Sequence, residues 1–184
     1  MERGESGLER KFCGGQPVQL QDGARIEGYA SLFGLPDQGG DVVAQGAYAK
    51  SLAAIAARGG SVKMLWQHDP AQPIGVWDEI REDARGLWVK GRLLPEVARA
   101  REALALIAAG AIDGLSIGYR TIAAEKDAKG QRLLAELELW EVSLVTFPML
   151  REARVAAKGE APEAAIWRDL ARALSAATAE LAAR

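Results

Sequence analysis

The sequence predicts an α+β fold, a mainly antiparallel β-barrel or curled sheet flanked by helices. Three observations carry that expectation. Alternating, strand-like stretches fill the middle of the chain, around Ile26, Ile74, Leu87, Leu115 and Leu137. They are joined by short turns without crossover helices, so the alternation of a doubly wound parallel sheet is absent. Two alanine-rich, helix-periodic segments punctuate the strands, each closed by glycine.

Taken in order, residues 1–24 read as a flexible, glycine-bearing N-terminal arm. A strand begins near Arg25, where Ile26, Gly28 and Ala30 alternate with Glu27, Tyr29 and Ser31. Gly34 to Asp41 is loop chemistry. Asp37 and Asp41 suggest a cation site, but their spacing fits no calcium loop. From about Ala47 to Arg58 the spacing of Leu52 and Ile55 predicts a helix, stopped by Gly59-Gly60. Val62 to Trp66 suits a strand, and His68-Asp69-Pro70 a loop. Ile74 to Glu79 and Leu87 to Leu93 form a hairpin around the polar turn Arg81–Gly86.

Pro95 is expected to open a second helix at a first-turn position, with Val97, Arg101, Leu104 and Ile107 on one face and Gly110 at its end. Leu115 to Ala123 is a strand, Asp127 to Gly130 a turn, and Arg132 to Phe147 a long strand stopped by Pro148. Pro162 to Arg184 reads as an amphipathic helix with Ile166, Leu170, Leu174 and Leu181 in a stripe. The domain plan is therefore an arm (1–24), one main domain (25–155) and a C-terminal amphipathic helix (156–184). No internal repeat is visible.

Composition excludes several function classes. In 184 residues, 49% hydrophobic and 26% charged, there is enough apolar side chain for a core. The net charge of −2 gives no reason to expect nucleic acid as a partner. No apolar run approaches the roughly 20 residues that span a bilayer, so no membrane partner is expected. Met1 to Lys11 lacks a signal-peptide core, which predicts a cytoplasmic protein. One cysteine, Cys13, and one histidine, His68, leave no Cys/His ligand set for zinc. No metal and no cofactor are expected. A cysteine protease built on Cys13 and His68 is conceivable; a bystander thiol is the better reading.

Gly114-Leu115-Ser116-Ile117-Gly118 matches G-x-S-x-G, which exposes a nucleophile in α/β-hydrolases. Taken alone the match is weak, and Ser116 also reads as a small residue in a strand. Chain order argues against that hydrolase fold, because the sole histidine precedes Ser116 and strand rather than helix follows it. If Ser116 is a nucleophile, His68 is the sole imidazole to accept its proton; otherwise His68 is a surface loop residue. Glu141 is the candidate to orient the imidazole. It continues the parity of Leu133, Ala135, Leu137 and Leu139, so it is either buried with a partner or turned outward by a bulge near Trp140. Asp69 is a rival acid.

Several stretches, in one order from about Ile26 to Val155, resemble the prohead maturation proteases of tailed bacteriophages and their gene transfer agent relatives. They are Glu27–Phe33, Gln38–Val43, Leu65–Pro70, Pro73–Trp77, Gly86–Gly91, Gly114–Tyr119 and Leu139–Pro148. The resemblance implies a fold similar to the herpesvirus assemblin proteases and a serine endopeptidase with His68 and Ser116 as its catalytic pair. Assemblins use a second histidine as third member; this chain has none, and the resemblance puts Glu141 there.

The resemblance also implies substrates: the scaffolding segment of the major capsid protein and the protease itself. They would be cut inside the assembling prohead, in the cytoplasm of a bacterial host. Self-association, as a homodimer, is a further partner that it raises. Two rival readings are a catalytically inactive capsid assembly or scaffold-binding protein of the same fold, and a small esterase. The order of His68 and Ser116 disfavours the esterase.

Overall fold

The structure is a computed structural model and describes residues 9–12, 19–21, 24–37, 39–126 and 130–147. The expected C-terminal helix and the Cys13 thiol lie outside the described residues. In chain order the elements are β1 (Glu9–Phe12), β2 (Gln19–Gln21), β3 (Arg25–Leu32), β4 (Asp41–Val43), α1 (Ala49–Ala57), β5 (Lys63–Trp66), β6 (Asp69–Glu82), β7 (Gly86–Leu93), α2 (Ala98–Ala108), β8 (Gly114–Lys126) and β9 (Arg132–Val145). β1 and β2 arise where the sequence reads as an arm.

The strands form one sheet in the order β1-β8-β9-β5-β6-β7-β3-β2, with β4 also on β9. It curls until β3 approaches β8. Most neighbours are antiparallel, as the short turns dictate. β4 and β5, however, run parallel to β9, which the run of hairpins in the sequence does not announce. Between β7 and β9 the chain runs through α2 and β8, and β9 lies between β8 and β5.

Inside the curl lies a continuous core, in which Ile26, Tyr48, Met64, Ile74, Leu87, Ile117 and Leu137 are fully or almost fully buried. Each such side chain contributes about 1.5–3 kcal/mol relative to exposure. α1 and α2 end alike. Gly59 (φ 64°) and Gly110 (φ 69°) take left-handed conformations, and the N–H groups of Gly59, Gly60, Gly110 and Ala111 return to carbonyls of the last helical turn.

Three local expectations need correction. Pro95 does not open α2; it is the second residue of a turn closed by the Val97 N–H on the Leu94 carbonyl (2.9 Å), where its fixed φ fits, and the helix starts at Ala98. Asp41 belongs to β4 rather than to a loop, and its carboxylate holds Arg132 at 2.9 Å across the parallel pair. Asp69 and Pro70 begin β6, so the loop before them shrinks to Gln67-His68. No described helix is long and apolar enough to cross a membrane.

Candidate active site

Three neighbouring strands build the site on the sheet face opposite the core. On β8, Leu115 and Ile117 point into the core, so Ser116 points away from it. Ser116 stands opposite Ser143 of β9, and Gly118 opposite Glu141. On the far side of β9, Lys63 and Leu65 of β5 pair with Glu141 and Ser143.

His68 reaches this face through an unusual turn. Trp66 pairs with Asp69, and the two residues between them, Gln67 (φ 53°) and His68 (φ 62°), are both left-handed. Such two-residue hairpins usually use Asn-Gly. A non-glycine residue there costs about 1–3 kcal/mol and needs outside support. Gln67 receives it from the end of β9 and the residue that follows: its N–H donates to the Leu144 carbonyl (2.9 Å) and its side-chain amide to Thr146 Oγ1 (2.6 Å). The Thr146 N–H donates back to Gln67 Oε1 (3.3 Å).

Glu141 is on this face because β9 bulges at Trp140. Tyr119 pairs with Leu139 and Gly118 with Glu141, leaving Trp140 as the extra residue, 43% exposed. The bulge breaks the parity read from the sequence: Leu137 and Leu139 stay in the core while Glu141 moves to the opposite face. Both readings of Glu141 thus meet, since the bulge turns it off the core face and it is still buried with partners. The Leu139 N–H donates to Ser51 Oγ of α1 (2.9 Å).

These devices bring the three predicted residues together. Ser116 Oγ lies 2.6 Å from His68 Nε2, and His68 Nδ1 lies 2.5 Å from Glu141 Oε1. A carboxylate can only accept, so Nδ1 carries the proton facing Glu141. In the neutral ring Nε2 is then free to accept from the Ser116 hydroxyl. Exposure is 0% for Ser116, 7% for His68 and 4% for Glu141. At low dielectric the hydrogen bonds are strong, and an unpaired carboxylate would be costly.

Asp69, the rival acid, faces elsewhere: its carboxylate accepts from the Ala71 N–H (2.9 Å) and the Gln72 amide (2.7 Å). Arg120, adjacent in sequence to the motif, pairs with Glu138 at 2.7 Å. A cleft of about 520 Å3 is lined by His68 and Glu141 of this group, with Leu65, Pro70 and Leu139 among its walls and Arg58 and Lys63 among its lining cations.

Sequence reasoning gave no role to Ser143 or Gln67, and read Gly118 only as part of the G-x-S-x-G match. Ser143 Oγ donates to Glu141 Oε2 (2.5 Å) and accepts the His68 main-chain N–H (3.2 Å). The signal was present: Glu and Ser two apart on a strand share a face. Gly118 has no side chain because the Glu141 carboxylate occupies that space; a Cβ would overlap Oε1.

Comparison with known proteins bears on the family and the fold. A family profile described as Caudovirus prohead serine protease matches residues 16–165. The chain is similar to the prohead protease of Enterobacteria phage HK97, 34% identical over 137 residues, which cover 72% of this chain and 59% of that protein. The match thus spans less than two thirds of that relative. Among solved structures, the chain is similar to the bacteriophage T4 capsid assembly protease, with a TM-score of 0.63 and 16% identity over 75% of this chain and 96% of that one. At that identity the likeness is one of fold.

Proposed function

The chain belongs to the Caudovirus prohead serine protease family, and from that premise we propose that it is a serine endopeptidase in which Ser116 is the nucleophile, His68 the general base and Glu141 the orienting acid. The observation that carries the reading is the unbroken line of hydrogen bonds from Ser116 Oγ through both ring nitrogens of His68 to Glu141.

Chemically, the line works in two half-reactions. His68 Nε2 takes the Ser116 proton as Oγ attacks a peptide carbonyl, and Glu141 stabilises the imidazolium that forms. The ring then protonates the leaving amine, so the C–N bond breaks and an acyl-enzyme remains. Water, deprotonated by the same Nε2, attacks the ester; the C–Oγ bond breaks to release the acid product, and the imidazolium returns the proton to Ser116 Oγ.

The proposed substrates are the scaffolding segment of the major capsid protein and the protease itself, cut inside the assembling prohead. What supports a capsid protein as substrate is the naming of the HK97 relative as a prohead protease; the scaffolding segment and the protease itself follow from the family resemblance.

The test is co-expression of wild type or Ser116→Ala with the cognate capsid protein, followed by intact-mass measurement of that protein. Loss of a serine nucleophile costs about a millionfold in turnover, so processing by wild type and none by the folded variant is the expected result. Equal processing by both removes Ser116 from the role. A wild type that leaves the capsid protein intact favours the inactive assembly protein.

A further inference from the structure

We infer that Ser143 is a positioning residue for the reaction, locking the Glu141 carboxylate and the His68 backbone into one geometry through a single hydroxyl. The inference rests on the reading of Ser116, His68 and Glu141 as a triad and adds a fourth side chain to it.

Ser143 is fully buried on β9, directly across the ladder from Ser116. A serine hydroxyl has one proton to donate and lone pairs to accept. Here the proton goes to Glu141 Oε2, and a lone pair takes the His68 N–H. Glu141 therefore has both oxygens committed in different directions, Oε1 to the imidazole and Oε2 to Ser143. Rotating the carboxylate away from the ring requires both bonds to break.

At its other end the same hydroxyl holds the main chain of a residue at φ 62°, a conformation that persists only when its surroundings impose it. One oxygen thus couples the orientation of the acid to the placement of the base. Without it, Glu141 loses a donor to its charged form and His68 loses an anchor. The ring then samples orientations in which Nε2 no longer faces Oγ.

A purely structural role, satisfying a buried acid for the sake of stability, makes a different prediction, and a double-mutant cycle separates the two. In the full chain, Ser143→Ala should slow the reaction of Ser116 with a fluorophosphonate, and its processing of the capsid protein, by about 10- to 100-fold. KM should stay within about twofold. In a Glu141→Gln background the same change should cost less than about threefold, because the carboxylate it positions is already gone.

An equal loss in both backgrounds, or a wild-type rate in Ser143→Ala, overturns the inference. Ser143→Cys, close in size but a weak donor, carries the same comparison if the alanine variant fails to fold. If wild type neither processes capsid protein nor reacts with the probe, the proposed function has failed. The inference is then read without substrate: the nitrogen resonances of the lone imidazole should lose their Nδ1–H tautomer preference in the Ser143 variants. A preference that is kept overturns it.

Discussion

Gly118 lies directly across the β8–β9 ladder from Glu141, and the carboxylate occupies the space that a side chain on Gly118 would need. The second glycine of the G-x-S-x-G match therefore has a use unrelated to a strand-to-helix elbow. Gly118→Ala should fold, since Glu141 can swing aside, but should lose about a hundredfold or more in processing. Circular dichroism alongside a processing assay checks this, and an active Gly118→Ala would show that the carboxylate position does not matter.

Glu141→Gln tests the acid itself. The amide keeps the shape but presents no full charge to the imidazolium and can invert the ring tautomer. A fall of about 10³- to 10⁴-fold in turnover is expected, with the melting temperature little changed. Asp69→Asn should leave turnover within a fewfold of wild type, because that carboxylate is committed to Ala71 and Gln72.

The left-handed turn predicts an inversion of the usual ranking of side chains. At Gln67, glycine suits φ 53° and a β-branched residue does not. Gln67→Val should cost roughly 1–3 kcal/mol in urea unfolding, more than Gln67→Gly, although both lose the bond to Thr146. The opposite ranking would mean that the turn is not left-handed in solution.

Stability should depend on pH through Tyr29 and Asp83, whose side chains share a 2.6 Å hydrogen bond. That bond, followed by burial and the charge of Asp83, raises the Tyr29 phenol above its ordinary value. At Asp83 burial acts upward but is outweighed by hydrogen bonds from Tyr29, the Arg85 and Gly86 N–H groups and Arg81, so the carboxyl is lowered. A lowered acid stabilises the fold above its unfolded value and loses that contribution as pH falls through the folded one. A raised phenol contributes below its unfolded value and loses it as pH rises. Urea midpoints should therefore fall below about pH 4 and above about pH 10. Asp83→Asn should flatten the acid side, and an unchanged acid side in that variant would remove the pair from the account.

How much of this was legible depends on how local each signal is. The glycine-closed helices, the β6–β7 hairpin and the strand character around Ser116 follow from periodicity and turn residues within a few positions. What sequence could not reveal is set by partners far along the chain. The Gln67-His68 turn carries none of the residues that usually mark it, because Leu144 and Thr146 impose its conformation. The parallel strand β4 is three residues long and is fixed by β9. A bulge near Trp140 is one of two readings the sequence leaves open, and the pairing of β9 with β8 decides between them. Residue patterns alone name Ser116, His68 and Glu141 only as candidates; the expectation that they meet comes from the family resemblance.

The parallel pairing of β5 with β9 has a consequence for when the protein can first do chemistry. His68 and Glu141 are 73 positions apart, and His68 and Ser116 are 48 apart. Contacts of such separation form late, after their loop-closure entropy has been overcome. A chain still emerging from the ribosome, with β9 unmade, has a serine and a histidine but nothing to hold them in line. Under the proposed function, competence to cut peptides requires β9 to be paired with both β8 and β5.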